Sequence, residues 1–170
     1  MPRKPKTHQN PDLLAKNKLM DLIAVRDHSE LELRRKLKAA LVRAKYSVDV
    51  TDVQILAAVE NALQFARGKG WLQAPVDLAE KTAMALHRRG KGILYINAYL
   101  SEKGLPAIDS DVDLELDKAQ ALVETMKLKT FDFLKLPADE KNKLRTRWSR
   151  QLASRGYDEE IVRKVIYEER

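Results

Sequence analysis

Apolar residues recur along this chain at three- and four-residue spacing rather than in alternation. Leu33, Leu37, Ala40, Leu41 and Ala44 trace one face of a helix, and Ile55, Val59, Leu63 and Ala66 trace another. Leu78, Thr82 and Leu86, then Ile93, Ile96 and Leu100, mark two shorter amphipathic segments. Leu116, Ala119, Val123 and Met126 form the next stripe, followed by Leu144, Trp148 and Leu152, and Ile161, Val162, Val165 and Ile166 close the chain. No alternating β-branched run survives beside these stripes. The pattern predicts an all-α protein, helical almost throughout from Leu13. Polar residues supply the starts: Ser29 with Glu32, and Thr51 with Gln54, have the spacing of a capping box. Gly68, Gly70, Gly90, Gly92, Gly104 and Gly156 all fall between predicted helices, where a left-handed cap or a tight turn is wanted. Pro75, Pro106 and Pro137 sit in or near the same joints. The helices are short, about ten to eighteen residues, so neighbours must cover their apolar faces.

A weak internal repeat runs through the joints. Leu100-Ser101-Glu102-Lys103-Gly104-Leu105 resembles Leu152-Ala153-Ser154-Arg155-Gly156-Tyr157, and Val42-Arg43-Ala44-Lys45-Tyr46 reads as a degraded first copy. The two clear copies share a basic residue, glycine and a large apolar residue, with acids opening the next helix. The repeat suggests three tandem three-helix units, near 13–72, 73–128 and 129–170. Such units stack mainly on their neighbours, so an elongated, curved array is expected.

Composition narrows the classes of function. With 34% charged residues and a mean hydropathy of -0.46, no stretch approaches the length of a membrane span. The N-terminus is basic but lacks the apolar run of a secretion signal, and there are no cysteines. Disulfides, Cys-ligated zinc, iron–sulfur clusters and cysteine nucleophiles are excluded, and the cytosol is the expected location. The net charge is +7, which favours an acidic partner such as nucleic acid. Residues 1–18 carry Arg3, Lys4, Lys6, Lys16 and Lys18 against Asp12, more than half of that excess. With Pro2, Pro5 and Pro11, and nothing apolar between Met1 and Leu13, residues 1–12 read as a disordered basic arm.

Catalytic motifs are missing. There is no phosphate-binding loop, no dinucleotide fingerprint and no nucleophile elbow. Gly68-Lys69-Gly70 and Gly90-Lys91-Gly92 join helices and read as joints. His8, His28 and His87 lie far apart; His28 precedes the Ser29 cap, and without cysteines it cannot open a deaminase-type zinc site. Asp109, Asp111, Asp113, Glu115 and Asp117 alternate like calcium ligands, but Leu114 and Gln120 stand where an EF-hand needs glycine and glutamate. Acids at a helix start complement its dipole, which accounts for them. No metal, cofactor or enzymatic activity is expected.

The basic residues form clusters. Arg34, Arg35 and Lys38 lie beside the Leu33–Leu37–Leu41 stripe; Arg88, Arg89 and Lys91 crowd a glycine joint; Arg145, Arg147 and Arg150 run along one late helix, with Arg155 just beyond. For any single helix a solvated face explains such a cluster, whereas three together make a shared basic surface plausible. Tyr95 and Tyr99, four apart, and Trp71 have the chemistry to stack on bases. Core or partial-core packing is the simpler expectation for Phe65, Trp71, Phe131, Phe133 and Trp148. No recognition helix of a helix-turn-helix reader stands out, and no heptad run suggests a coiled-coil dimer, so a monomer is expected.

Residues 19–41, with Arg26, His28-Ser29 and then Glu32-Leu33 and Arg34-Arg35-Lys36-Leu37, resemble the opening of the RecX family of recombinase regulators. Gly70-Trp71-Leu72 and Leu78-Ala79-Glu80 through Arg88-Arg89-Gly90-Lys91-Gly92 resemble its second unit. Leu136-Pro137-Ala138-Asp139-Glu140-Lys141 and Leu152 to Ile161 resemble its third. The match runs in order over roughly residues 15–168. The chain departs from the family pattern in a longer Val42–Val53 stretch, in Tyr95 and Tyr99, and in Ala74-Pro75-Val76-Asp77 at the start of the second unit. The resemblance implies a bacterial cytosolic protein that docks in the groove of the RecA–single-stranded DNA filament and inhibits ATP hydrolysis and strand exchange. The residues expected to make electrostatic contact with RecA or DNA are Arg34, Arg35, Lys38, Arg88, Arg89, Lys91, Arg145, Arg147 and Arg150. The competing expectation is a stand-alone single- or double-stranded DNA-binding protein, such as a transcriptional regulator, using the same residues.

Overall fold

The computed structural model describes residues 10–44, 50–130 and 133–168, and every regular element among them is helical. The helices are α1 (Pro11–Val25), α2 (Glu30–Ala44), α3 (Asp52–Gly68), α4 (Pro75–Arg88), α5 (Ile93–Glu102), α6 (Val112–Leu128), α7 (Ala138–Ser154) and α8 (Glu159–Tyr167), with a single 3-10 turn at Phe133–Lys135. The protein is all-α. Residues 1–9 of the expected basic arm lie outside the described residues, as do Tyr46 and Phe131. Pro11 and Asp12 belong to the first turn of α1, two residues ahead of the expected start. Asn10 caps that turn, its side chain accepting from the Asp12 N–H at 2.9 Å, and Pro11 costs nothing at a position where no N–H is needed.

The chain forms two compact units. One comprises the residues up to Leu78 together with Lys103–Leu105; the other comprises Ala79–Glu102 and the residues from Pro106 onward. In the first unit α1, α2 and α3 pack on one another around Ala15, Leu19, Leu33, Leu37, Leu41, Ile55, Val59 and Leu63. These are the stripes of the sequence closing on a common axis, each large aliphatic contributing roughly 1.5–3 kcal/mol by leaving water. Thr51 and Gln54 form the complete reciprocal cap of α3. In the second unit α6, α7 and α8 enclose Ala119, Val123, Trp148, Leu152, Tyr157, Ile161, Val162 and Ile166, a core that runs across residue 128. Phe133 leans on Trp148 with ring centroids 4.9 Å apart.

Trp71 departs from the packing expected of it: it is 41% exposed. The chain turns away from α3 at Gly70, which has φ +65. The indole makes an edge-on contact with Phe65, at 5.4 Å between ring centroids.

The Ser29–Glu32 cap is half of the expected box. Ser29 Oγ accepts from the Glu32 N–H at 3.1 Å and donates to the Lys103 carbonyl at 2.5 Å. The Glu32 carboxylate turns instead to basic side chains: Arg26 at 2.5 Å, His28 Nδ1 at 3.1 Å, Lys36 at 3.4 Å and Lys103 at 3.7 Å. Burial pushes this carboxyl up, but hydrogen bonds from His28 and Arg26 and the charges of Arg26 and Lys103 outweigh it and hold it down at about 2. A carboxyl depressed below its unfolded value stabilises the fold above that value, and the contribution fades as pH falls from 4.5 toward about 2. Glu32→Gln is expected to cost about 3 kcal/mol in urea unfolding near neutral pH. The difference from the parent protein should shrink steadily on acidification through that window. A pH-independent difference would show that the carboxylate's charge is not what holds the cluster.

Candidate functional site

The three predicted basic clusters have different fates. In the first, Arg34 is used inside the protein. It reaches Glu60 at 2.5 Å and Glu30 at 3.3 Å, while Arg67 reaches Glu30 at 2.5 Å and Glu60 at 3.4 Å. Two guanidiniums and two carboxylates tie α2 to the end of α3 with no net charge. The hydrogen bond from Arg67 chiefly lowers the Glu30 carboxyl, and the one from Arg34 chiefly lowers that of Glu60. Arg35 and Lys38 are exposed on α2. In the third cluster Arg147 and Arg150 are exposed on α7, whereas Arg145 is half-buried and lines a groove of about 660 Å³ with Trp148 and Phe133.

The second cluster is built differently. Helix α4 ends in a tight reversal: Gly90, at φ +69, and Lys91 turn back to bond the carbonyls of His87 and Leu86 at 2.9 and 3.1 Å. The chain restarts as α5 at Ile93, so Arg88, Arg89 and Lys91 are confined to five residues of joint. That joint is clamped backbone to backbone onto the α7–α8 joint. The Gly92 N–H donates to the Arg155 carbonyl at 2.9 Å and the Leu94 N–H to the Gly156 carbonyl at 3.0 Å. Only glycine fits at both contact points. A Cβ on Gly92 would stand 2.5 Å from the Gly156 oxygen, and one on Gly156, at φ +86, would strike the Tyr95 backbone. Arg155 lies across the reversal, Nη1 at 3.4 Å from both the Arg89 and Gly90 carbonyls. Lys91 places its ammonium 3.9 Å from the centroid of the Tyr95 ring.

The clamp therefore collects Arg88, Arg89, Lys91 and Arg155 beside an exposed tyrosine. Among the described residues none of these four cations has a carboxylate partner. Uncompensated charge concentrated on a rigid turn attracts an anionic surface over several ångströms. Arg155, Tyr95 and the two glycines were not among the residues singled out for contact. The repeated basic–glycine–apolar signature at 104 and 156 marks one of these joints, but its docking onto residue 92 has no counterpart in spacing.

Beneath the joint lie two buried polar side chains, Glu115 and Tyr157, and the half-buried His87. Glu115, fully buried on α6, accepts the Ile93 N–H on Oε2 at 3.1 Å and brings Oε1 to 3.3 Å from His87 Nδ1. Burial raises the Glu115 carboxyl and lowers the His87 imidazole. Tyr157 is buried with its hydroxyl unbonded, and burial together with the nearby Glu115 pushes it up to about 12. Of the acidic run at 109–117, Asp111 caps α6 as expected of acids at a helix start, accepting the Leu114 N–H at 3.0 Å, but Glu115 turns inward. No group of three or more His, Asp or Glu among the described residues is placed to hold a metal ion, and no described helix is long and apolar enough to cross a membrane. The arrangement is a preformed basic turn on an all-helical scaffold.

The chain is similar to known regulatory proteins. The chain is 30% identical over 158 residues to the regulatory protein RecX of Leptothrix cholodnii, spanning 92% of this chain and 89% of that protein. It is 33% identical over 90 residues to the regulatory protein RecX of Pectobacterium atrosepticum, covering 51% of this chain and 55% of that one. The crystal structure of RecX from Lactobacillus salivarius superposes with a TM-score of 0.67 at 16% identity, over 93% of this chain and 96% of that one, which shows the shared fold. No protein-family model matches the chain. The chain belongs to the RecX family of regulatory proteins.

Two predictions follow from the clamp. Gly92→Ala is expected to lower stability by about 1–3 kcal/mol, because the new methyl meets backbone that has nowhere to move. Gly68→Ala, at a helix end with open space around it, should be neutral or stabilising by up to about 1 kcal/mol; equal effects in thermal unfolding would contradict the close approach. Tyr157→Phe removes a buried hydroxyl that has no partner, so stability should hold or rise by up to about 1 kcal/mol. A clear loss would reveal a hydrogen bond to that oxygen.

Proposed function

We propose that this protein binds the RecA–single-stranded DNA filament and inhibits its ATP hydrolysis and strand exchange, acting in the bacterial cytosol without catalysing a reaction. The α4–α5 joint carries this reading: its Arg88, Arg89 and Lys91, with Arg155 laid across the turn, have no carboxylate partner among the described residues, and backbone contacts preorganise it. A partner whose exposed face is acidic, or whose phosphates are within reach, gains affinity there without first having to order the loop. Membership of the RecX family supplies the class of partner; the joint supplies the chemistry of contact. Lys38, Arg147 and Arg150 are exposed and join the joint as secondary contacts in this reading, with Arg35 and Arg145 beside them; Arg34 serves the fold. The tandem division at 13–72, 73–128 and 129–170 goes with the proposal, as three repeats in sequence of α1–α3, α4–α6, and the 3-10 turn with α7 and α8.

Inhibition requires tighter binding to one filament state than to the states it must pass through during turnover. The test is a titration of the protein into cognate RecA assembled on single-stranded DNA, following ATP hydrolysis at fixed salt. Inhibition is expected well below one chain per RecA protomer. The combined Arg88→Glu, Arg89→Glu and Lys91→Glu variant should need at least about tenfold more protein for the same effect, a loss of about 1.4 kcal/mol or more. Unchanged hydrolysis together with tight, salt-sensitive binding to naked DNA would overturn the proposal in favour of a stand-alone DNA-binding protein.

A further inference from the structure

The buried pair under the basic joint has no part in contact with a partner, yet its geometry ties it to the joint. Glu115 receives the first N–H of α5, the helix that begins where the joint ends. His87 occupies the last turn of α4, immediately before Arg88. The two facing atoms, Oε1 and Nδ1, are both buried away from water, with no hydrogen bond closed at either. A proton between them satisfies both atoms and leaves the pair with no net charge.

We propose that Glu115 and His87 form a one-proton clasp that holds the two ends of the basic joint together, so that the joint keeps its anion-binding shape only while the pair carries a single proton. Acid delivers a second proton from solvent. Glu115 is then a neutral acid beside a half-buried imidazolium and no longer balances its charge. The groups facing that cation from each packed element do not rescue it. From α6 come Lys118, which opposes it, and Asp111 at the helix start, which favours it; from the joint a backbone hydrogen bond at Lys91 also favours it, but burial outweighs both, while Tyr157 of the α7–α8 joint faces Glu115 with Arg155 near it. The cheapest relief is hydration of His87, which separates the end of α4 from Glu115 and frees the start of α5. Burial as the leading cause of both shifts agrees with this order of events. For His87, lowered in the folded state, the unfolded chain binds more protons below the ordinary value of 6.5, so stability there falls as pH falls. For Glu115, raised in the folded state, stability falls as pH rises above 4.5 toward its folded value. The two slopes oppose each other, and the loss on acidification below 6.5 belongs to His87 alone.

The consequence for the partner rests on the reading that the joint is the contact surface, whereas the clasp itself is tested on the free protein. Amide exchange of the full chain would be measured from about pH 7 to about pH 5, corrected for intrinsic rates, with the His87 ring carbon followed in parallel by NMR. Protection at Gly92 and Ile93 is expected to fall roughly tenfold or more, a change worth about one pKa unit of coupling, while Val123 and Leu152 in the unit's core stay protected. The His87 midpoint should lie below 6.5, and His87→Asn should flatten the profile. A parent profile already flat over this range, a His87 midpoint at or above its ordinary value, or a His87→Asn protein that keeps the parent's fall would each overturn the clasp. An intact profile in a protein that leaves RecA turnover unchanged would instead overturn the functional reading and leave the clasp standing.

Discussion

The meeting of two glycine joints is the constraint on which the basic turn depends. Helix ends normally hide their backbone behind a cap or water, but here the Gly92 and Leu94 N–H groups are satisfied by the carbonyls of Arg155 and Gly156. Such an approach is open only to residues without a Cβ, and it fixes the α4–α5 turn against the α7–α8 turn with no side-chain freedom in the contact. The arginines and lysine of the turn are thereby presented from a rigid base, and Arg155 arrives from a segment more than sixty residues away. Rigidity matters because a long cation on a mobile loop loses ordering entropy on binding that a preformed turn has already lost.

The charges divide into those consumed by the fold and those left over. Glu30, Arg34, Glu60 and Arg67 cancel one another, and Glu32 gathers Arg26, His28, Lys36 and Lys103 into a single cluster. Arginines that look alike in sequence thus do opposite work. Arg34 closes a neutral ring between helices, while Arg88 and Arg89 sit on a turn above Glu115, whose buried carboxyl is directed at the Ile93 N–H and His87. Net charge alone says little about where a partner would bind; the balance within each cluster says more.

Helical periodicity made nearly all of the fold legible in advance. Leu33, Leu37, Leu63, Trp148 and Leu152 are buried where their spacing placed them, because an amphipathic stripe has only one way to leave water. The Thr51–Gln54 cap was equally readable, its two bonds being local. Ser29 and Glu32 were read only halfway, since the competing cations around Glu32 come from Arg26, Lys36 and Lys103, and the last of these reaches it only through tertiary structure. Trp71 was misjudged because an aromatic after a helix-ending glycine follows the turn outward rather than the stripe inward. The Glu115–His87 pair was invisible for the same reason as the Gly92–Gly156 contact: partners tens of residues apart leave no trace in spacing. His87 looked isolated, and Glu115 looked like one more acid at a helix start.

The most direct measurement is a cryo-electron microscopy map of the protein bound along a RecA–single-stranded DNA filament. The account predicts the α4–α5 and α7–α8 joints facing the filament, with density from RecA carboxylates or DNA phosphates against Arg88, Arg89, Lys91 and Arg155. A complex in which those joints face solvent, with the filament held by the α2 face around Lys38 instead, would contradict it.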